Sequence, residues 1–422
     1  MTEIVGGDTS QCRLFHGDNL DVAHVLEREG TAGKAELVYV DPPYASDRDY
    51  TAEARLDGPA DGRVVRTLAY GDKWDEVGAY LEMLAPRLEA LTRLLSPTGT
   101  IWVHLDWRAA YLVRIVLDEI LGRGAFLNEI VWRRAPNLGR QAASGQFGRT
   151  LDTLLVYGKT DRATIKNHPT RLEPIEPSAI RWDDAGRPFT SAPRGDYTDA
   201  SIAKLEAEGR VHRTASGRVY IKYFLVKNED GVLCRERRVD ALWTDVPPLR
   251  HAAPSERTGY PTQKPRALLA RIIACATSPG DLVVDGFAGS GTTGVAAHAL
   301  GRRVILADTS AVAIANARAR MLREKAPIRV ERIGDVAAPV SSSGVRVESK
   351  KGVLRLVEPA EPLAWAVGTD EGGVFRCAWH AERIPGTKPR PAAREANVSS
   401  LGKRALRVRV WGDDGSMTEA SA

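Results

Sequence analysis

Four consecutive residues, Asp41-Pro42-Pro43-Tyr44, combine groups that can hold a reactive amine. The apolar residues 37–40 before them predict a buried strand, and the prolines keep the backbone extended at its end. Asp41 and the carbonyl of Pro42 can accept the two hydrogens of an amine conjugated to a heteroaromatic ring, while Tyr44 can stack on that ring. Because open α/β sheets bind ligands at the carboxyl ends of their strands, this position suits a catalytic corner. The alternative interpretation is an ordinary turn with a surface aspartate.

A second candidate site is a glycine-rich turn that follows the predicted buried strand at residues 281–285. The residues of this segment that can contact a small-molecule ligand are Asp285, Gly289 and Gly291. The spacing Gly-x-Gly-x-x-Gly matches the dinucleotide fingerprint and therefore also fits an NAD-dependent dehydrogenase. Asp285, however, precedes the turn, where its carboxylate suits a cationic ammonium better than a pyrophosphate. Asp308 ends the next predicted strand, where it can bind ribose hydroxyls or simply cap the following helix.

The order of these motifs resembles that of the β group of DNA amino-methyltransferases of restriction–modification systems. The Asp-Pro-Pro-Tyr corner comes first, followed by a basic region, by Pro-Thr-Gln-Lys-Pro at residues 261–265, and by Asp-x-Phe-x-Gly-x-Gly at residues 285–291. The resemblance covers residues 11–325. It implies an α/β fold with a Rossmann-like mixed seven-stranded sheet and helices on both faces. It also implies S-adenosylmethionine as the cofactor and double-stranded DNA as the substrate, with the target base flipped out of the duplex.

The resemblance also assigns roles to individual residues. Its catalytic residues are Asp41, Pro42, Pro43 and Tyr44. Its cofactor-binding residues are Asp18, Lys264, Asp285, Phe287, Gly289, Gly291, Thr292 and Asp308. Asp18 meets the adenine of the cofactor in this assignment, although the residue pattern alone favours a helix cap. Lys264 lies in the segment that closes over the methionine end of the cofactor, where it can attract the methionine carboxylate or DNA; no metal ion is predicted.

The first residue of the corner favours adenine as the target base. Adenine N6 and cytosine N4 are both amines conjugated to a ring, so the corner can serve either. In the resembling group, members that act on adenine typically carry Asp at the position of Asp41, whereas members that act on cytosine more often carry Ser. The prediction is therefore N6-methyladenine, with N4-methylcytosine as the alternative.

Two further classes of protein fit less well. An RNA or protein amide methyltransferase usually has its cofactor motif ahead of the catalytic corner and no recognition insertion between them. A non-catalytic DNA-binding module would need no cofactor pocket.

Two basic segments are predicted to contact DNA. Residues 133–149 contain no acidic side chain, and we expect their arginines to bind phosphates, the alternative being a solvated surface loop. These arginines are Arg133, Arg134, Arg140 and Arg149. Residues 160–251 interleave arginines with aromatic residues, which suits phosphates and unstacked bases, or else a small β-rich insertion with an aromatic core. In the resembling group the target-recognition region occupies this place.

The pattern along the chain predicts several parts. These are a catalytic part (11–159), a target-recognition region (160–251), a cofactor-binding part (252–326) and a small β-rich C-terminal domain (345–422). A leucine stripe in residues 80–95 predicts an amphipathic helix. Residues 45–75 lack periodicity, which predicts a long loop that contacts DNA or closes the site.

The composition of the chain indicates which partners, metal sites and cellular location to expect. The chain has 422 residues and a formal net charge of +5, which weakly favours a polyanionic partner. Its four cysteines lie far apart, so we expect neither a disulfide framework nor a zinc site. No long apolar run or signal-peptide pattern is present, so we expect a cytoplasmic protein that does not enter a membrane. A cognate restriction endonuclease, and a second copy of the chain in a homodimer, are compatible partners.

Overall fold

The protein is described by a computed structural model that covers residues 2–7, 11–55, 64–74, 76–136, 145, 147–214, 216–334, 344–359, 362–383, 391–401, 405–412 and 414–422. The chain forms two compact units. The first contains Met1–Asn167 and Ala241–Ala422, and the second contains His168–Asp240. The second unit lies within the predicted recognition region 160–251, whose outermost residues belong to the first unit.

Regular elements account for most of both units. The helices are α1 (Asn19–Arg28), α2 (Val77–Arg93), α3 (Ala110–Leu121), α4 (Asp199–Ala207), α5 (Arg266–Ala276), α6 (Thr292–Ala299) and α7 (Ala311–Arg323). The strands of the first half are β1 (Thr2–Val5), β2 (Cys12–His16), β3 (Ala35–Val40), β4 (Arg48–Arg55), β5 (Val64–Asp72), β6 (Leu95–Leu105), β7 (Phe126–Arg133), β8 (Leu151–Gly158), β9 (Thr170–Pro174), β10 (Arg181–Trp182), β11 (Pro188–Pro193) and β12 (Val211–Arg213).

The later strands complete the two units. They are β13 (Val219–Lys227), β14 (Leu233–Arg238), β15 (Leu242–Trp243), β16 (Leu282–Asp285), β17 (Arg303–Asp308), β18 (Ile328–Arg332), β19 (Arg346–Lys350), β20 (Val353–Glu358), β21 (Ala364–Glu371), β22 (Val374–Glu382), β23 (Glu395–Asn397), β24 (Leu406–Trp411) and β25 (Met417–Ser421). No helix in the described ranges is long and apolar enough to cross a membrane.

One large mixed sheet runs through the first unit. Its strands follow the order β15-β7-β8-β6-β3-β16-β17-β2-β18-β1-β22-β21-β24-β25. From β6 to β18 the neighbours are parallel, whereas β8 is antiparallel to both β6 and β7. This mixed α/β architecture confirms the predicted fold class. The described sheet has 14 strands rather than seven because β15 extends one edge, while β18, β1 and the C-terminal strands extend the other.

Helices cover both faces of the central strands. In α2, Leu84 and Leu88 are at most 1% exposed and belong to the same buried cluster as Val38 of β3. Helices α1 and α3 contribute to that cluster as well. On β17, Ile305 and Ala307 belong to that cluster, and Leu306 between them points to the opposite face of the sheet, because successive side chains of a strand alternate between faces. There it meets α6, since a Cβ atom added to Gly294 would lie 2.7 Å from the Leu306 side chain.

The N-terminal strand β1 joins the C-terminal strands to the central sheet. It is antiparallel to β18 and parallel to β22. A buried ion pair supports this junction, with 2.6 Å between Arg318 of α7 and Glu3 of β1. Residues 346–397 also contribute the three-stranded sheet β19-β20-β23. The role of the predicted C-terminal domain stays a prediction.

The prediction of a loop over residues 45–75 is wrong for most of this segment. Strands β4 and β5 pair as an antiparallel hairpin, here called the arm. Tyr50 and Tyr70 stack on it with ring centroids 4.9 Å apart, and the N–H of Glu53 donates to the carbonyl of Gly259 at 2.9 Å. Main-chain bonds and a few side-chain contacts thus order the arm without the hydrophobic alternation that strand prediction requires.

The second unit is a small antiparallel sheet with one described α-helix, α4. Its strands follow the order β10-β11-β13-β14-β9, and β12 pairs with β13. Phe189 is buried, whereas Trp182 is 62% and Tyr197 is 43% exposed. The guanidinium of Arg235 lies 3.6 Å from the ring centroid of Tyr223. The aromatic residues of this segment are therefore divided between the core and the surface.

Candidate active site

Carboxylates at the ends of three neighbouring strands line one cavity. Strands β3, β16 and β17 are adjacent and parallel, so their carboxyl ends meet at the same edge of the sheet. Asp41 follows β3, while Asp285 and Asp308 are the last residues of β16 and β17. Together with Pro42 and Pro43 they line a cavity of about 500 Å³. This volume lies within the range of about 300–1,000 Å³ that is typical of small-molecule sites.

The catalytic corner is held by charge-assisted hydrogen bonds. The Tyr44 hydroxyl donates to Oδ1 of Asp41 at 2.5 Å. Lys264 Nζ donates to both oxygens of Asp41, at 2.8 and 2.5 Å. The Tyr44 ring is stacked against the buried ring of His104, with 6.3 Å between centroids. The resemblance assigned Lys264 to the cofactor, where it can attract the methionine carboxylate or DNA. In the structure it contacts Asp41, the carboxylate that was assigned to the target amine.

The glycine turn leaves no room for larger residues. Gly289 and Gly291 have φ values of 49° and 76°, in the left-handed region that favours glycine. A Cβ atom on Gly291 would also lie 2.7 Å from that of Ala317 in α7. Beneath the turn, the buried Arg320 donates to the Thr292 hydroxyl at 2.8 Å. Burial lowers the pKa of Arg320 to about 10. Sequence reasoning missed this arginine, which supports the turn from a distant helix.

Burial raises the pKa values of Asp285 and Asp308, the two carboxylates that line the part of the cavity next to the glycine turn, here called the cofactor end. Asp285 is 2% exposed and accepts the N–H of Phe287 at 2.9 Å. Burial raises its pKa to about 7, and the charges of nearby carboxylates add to this effect. Asp308 accepts the N–H groups of Gly289 and Ser310, both at 2.8 Å, and burial raises its pKa to about 6. A cationic ligand would offset the cost of keeping these groups charged.

The beginning of α1 also lines this cavity. Asp18 accepts the N–H of Leu20 at 2.9 Å and pairs with Arg87 at 2.5 Å, so it caps the helix and faces the cavity at once. The next residue, Asn19, donates to the carbonyl of Gly286 at 2.8 Å. Its buried Oδ1 has no hydrogen-bond partner among the described residues. Sequence reasoning missed Asn19, although its position directly after Asp18 was a signal.

A buried polar chain runs behind the corner. The Tyr39 hydroxyl and His104 Nδ1 are 3.0 Å apart, and His104 Nε2 lies 3.3 Å from Asp152. Asp152 also accepts from Nε of Arg134 at 2.7 Å. Burial alone would raise the pKa of Asp152, but the hydrogen bond with His104 and the positive charge of Arg134 outweigh it and lower the pKa. This chain links the surroundings of Tyr44 to a predicted DNA-contacting arginine.

The predicted DNA-contacting arginines lie at the ends of β7 and β8. Arg133 is exposed at the end of β7, and the next residue, Arg134, donates to the carbonyl of Arg149 at 3.1 Å. The guanidinium of Arg149 lies 4.0 Å from the ring centroid of Trp107. Arg140 lies outside the described residues. The structure therefore brings Arg134 and Arg149 together.

The cofactor end of the cavity fits a cationic adenosyl compound. Two carboxylates, the buried Asp285 and the half-buried Asp308, face it, and the Asn19 acceptor lacks a partner within the described chain. S-adenosylmethionine carries an ammonium and a sulfonium charge together with ribose hydroxyls. A glycine turn ahead of a helix allows close approach of the backbone to such a ligand.

The site and the fold define a class of protein that sequence comparison identifies. A family model described as DNA methylase, of the N6/N4 type, matches residues 35–318. These residues make up more than half of the chain, which therefore belongs to this family. Membership confirms the predicted amino-methyltransferase class and S-adenosylmethionine as its cofactor.

Individual relatives include restriction–modification proteins. The chain is 28% identical over 321 residues to the type II methyltransferase M.EcaI of Enterobacter cloacae, covering 70% of this chain and 66% of the relative. It is 26% identical over 403 residues to the type III restriction-modification enzyme StyLTI Mod subunit of Salmonella typhimurium, covering 80% of this chain and 58% of the relative. A solved structure of TTHA0409, a putative DNA modification methylase from Thermus thermophilus complexed with S-adenosyl-L-methionine, covers 76% of this chain and 100% of its own, with 17% identity and a TM-score of 0.41.

Proposed function

We propose that this chain transfers a methyl group from S-adenosylmethionine to N6 of adenine in double-stranded DNA. One observation carries the proposal: the ends of β3, β16 and β17 bring the Asp-Pro-Pro-Tyr corner and the carboxylates Asp285 and Asp308 into a single cavity. Direct transfer requires donor and acceptor atoms about 3–3.5 Å apart in one site. The shared cavity supports catalysis by positioning and electrostatics, without a covalent enzyme intermediate.

At the cofactor end, the two carboxylates are assigned to different groups of S-adenosylmethionine. The cofactor supplies an electrophilic methyl group on a positively charged sulfur. Asp285 is assigned to the ammonium of the methionine moiety, because a buried carboxylate with a raised pKa gains most from a cation. Asp308 is assigned to the ribose hydroxyls. The remaining assigned cofactor-binding residues that line the cavity are Asp18, Asn19, Phe287, Gly289 and Thr292. Gly291 is assigned with them because its positive φ shapes the same turn.

At the acceptor end, the corner receives the flipped base. Asp41 and the carbonyl of Pro42 accept the hydrogens of the amine, which favours a more nucleophilic nitrogen, and Tyr44 stacks on the base. An ionised carboxylate has about four acceptor positions, so the bonds from Tyr44 and Lys264 leave Asp41 capacity for an amine hydrogen. Lys264 neutralises Asp41 in the free protein and can turn to the methionine carboxylate or to DNA.

The choice of adenine rests on Asp41 at the first position of the corner, and cytosine N4 is the second candidate. The test is to incubate the purified protein with unmethylated DNA and S-adenosylmethionine, digest the DNA and identify the nucleosides by mass spectrometry. N6-methyladenine supports the proposal. N4-methylcytosine without N6-methyladenine would favour the second candidate, and no methylated base would overturn both.

DNA recognition is assigned to two parts of the chain. The unit His168–Asp240 carries exposed Trp182 and Tyr197 among arginines, which suits recognition of the target sequence. Arg134 and Arg149, with Arg133 beside them, are assigned to phosphates, which position a protein without reading sequence. A cytoplasmic location, a homodimer and a cognate restriction endonuclease as partner remain part of the proposal.

The cofactor assignment has a direct binding test. Calorimetry should show binding of S-adenosylmethionine and none of NAD. Asp308→Ala should weaken that binding by about 1.5–3 kcal/mol, as for a lost hydrogen bond to a charged group. Asp161→Asn, a change at an exposed residue after β8, is the matched control and should leave the affinity unchanged. Binding of NAD alone would overturn the assignment.

A further inference from the structure

A buried carboxylate at the end of the arm holds the turn that follows the catalytic corner. Asp72 is the last residue of β5 and is 1% exposed. Its Oδ2 accepts the N–H groups of Tyr44 and Ser46 at 3.1 and 2.9 Å and the Ser46 hydroxyl at 2.6 Å. Its Oδ1 accepts the N–H of Ala45 at 2.9 Å and Nε1 of Trp74 at 3.0 Å. One side chain thus receives three consecutive backbone N–H groups.

The turn needs such an acceptor. Ala45 has a φ of 54° and Asp47 a φ of 58°, a conformation that costs a non-glycine residue about 1–2 kcal/mol. Consecutive N–H groups that converge in a turn form a concave site for an anion, and Asp72 supplies that anion. The preceding Pro42 and Pro43 have no N–H to donate. The backbone after the corner is therefore ordered by a carboxylate that lies 28 residues from Tyr44 in the chain.

We infer that Asp72 is a positioning residue for methyl transfer, an inference that rests on the proposed function. Asp72 binds the N–H of Tyr44, whose hydroxyl in turn donates to Asp41 at 2.5 Å and whose ring is assigned to the target base. A shift of this turn moves both the ring and the hydroxyl relative to Asp41. Misplacement of a reacting group by about 1 Å can lower a rate about 100-fold. Asp72 acts through Tyr44 and Ala45 rather than by touching the reacting atoms.

The inference differs from a purely structural role of the arm. A structural role would lower stability and weaken binding of cofactor and DNA together. A positioning role lowers the rate of the chemical step while both ligands still bind. It also predicts a graded effect, because asparagine keeps one acceptor oxygen and loses at least two of the five hydrogen bonds, whereas alanine loses all of them.

The experiment compares Asp72→Asn and Asp72→Ala with wild type in single-turnover methylation of DNA. Asp49→Asn is the control, since Asp49 lies on the same arm but is exposed and pairs with Lys73 at the surface. We expect the single-turnover rate to fall about 10-fold for Asp72→Asn and about 100-fold for Asp72→Ala. The dissociation constants for S-adenosylmethionine and DNA should stay within about twofold, and Asp49→Asn should match wild type.

The outcomes separate this inference from the proposed function. If wild type methylates no DNA, the proposed function fails. If wild type is active and Asp72→Asn reaches the wild-type rate, or only its ligand binding is weaker, the positioning role is overturned. If circular dichroism shows that the Asp72 variants do not fold, Trp74→Phe and Ser46→Ala each remove one donor side chain from the same carboxylate. Both should then lower the single-turnover rate severalfold, and wild-type rates in both would overturn the inference.

Discussion

Replacing Asp285 by asparagine should stabilise the cofactor-free protein while weakening its cofactor site. The carboxylate is 2% exposed, and burial raises its pKa from 3.8 to about 7. Because one pKa unit corresponds to about 1.36 kcal/mol, an ionised Asp285 costs the folded state about 4 kcal/mol at pH 8. Asparagine removes this cost and keeps an oxygen for the N–H of Phe287, but its buried NH₂ group needs a partner. We therefore expect the free energy of unfolding to rise by about 1–3 kcal/mol at pH 8.

The pH dependence of this gain has a definite sign. The folded pKa lies above the unfolded value, so the stability contributed by protonated Asp285 is fully present below about pH 3.8 and is lost as the pH rises through about 7. The advantage of the asparagine variant over wild type should therefore grow by about 2–3 kcal/mol between pH 5 and pH 8. It should level off above that range.

Urea unfolding at pH 5 and pH 8, without cofactor, measures both quantities. Asp161→Asn, at an exposed site, controls for the general effect of removing a negative charge. Calorimetry with S-adenosylmethionine completes the test, and we expect at least about 10-fold weaker binding by the Asp285 variant. A variant less stable than wild type at pH 8 would refute the burial account. Unchanged cofactor affinity would refute the assignment of Asp285 to the ammonium.

The remaining predictions concern binding and recognition. The affinity for S-adenosylmethionine should rise from pH 5.5 to pH 8, because Asp285 and Asp308, with pKa values raised by burial to about 7 and about 6, must be ionised to hold the cofactor; calorimetry that shows no pH dependence would contradict this. Arg149→Gln should reduce the salt slope of DNA binding by about one unit for all sequences alike, and a loss confined to one sequence would argue against a phosphate contact. Exchanging His168–Asp240 for the corresponding segment of a relative should change the methylated sequence but not cofactor affinity, and an unchanged methylated sequence would remove recognition from this unit.

The grouping of the three aspartates in the candidate site was predictable from the ends of the predicted strands. Asp41, Asp285 and Asp308 each follow or end a short buried strand, and the carboxyl ends of adjacent parallel strands meet at one edge. The glycine spacing also predicted the tight turn, because glycine is the residue that adopts the positive φ values found at Gly289 and Gly291 without strain. The class of cofactor came from the resemblance of the motif order to that of DNA amino-methyltransferases, since the glycine spacing alone also fits NAD.

The parts that sequence did not predict depend on contacts between distant residues. In the sequence, nothing distinguishes Asp72 from the other acidic residues of its polar segment. Only the pairing of β4 with β5 brings it to the N–H groups of residues 44–46. Arg320 looks like a surface residue of an amphipathic helix until α7 places it under the glycine turn. Strand β1 has weak local signals, and its partner strand β18 is far away in the sequence, with Thr2 opposite Glu331. Propensity and periodicity are local, so they carry no information on such partners.

The most direct test of DNA methylation at this corner is to sequence the genomic DNA of a host that expresses the protein, with detection of modified bases. Wild type should place N6-methyladenine within one short sequence throughout the genome. Asp41→Ala should leave that sequence unmodified while the purified variant still binds S-adenosylmethionine, because this carboxylate is assigned to the target amine. Unmodified DNA from cells that contain folded wild-type protein, or equal modification by Asp41→Ala, would contradict the account.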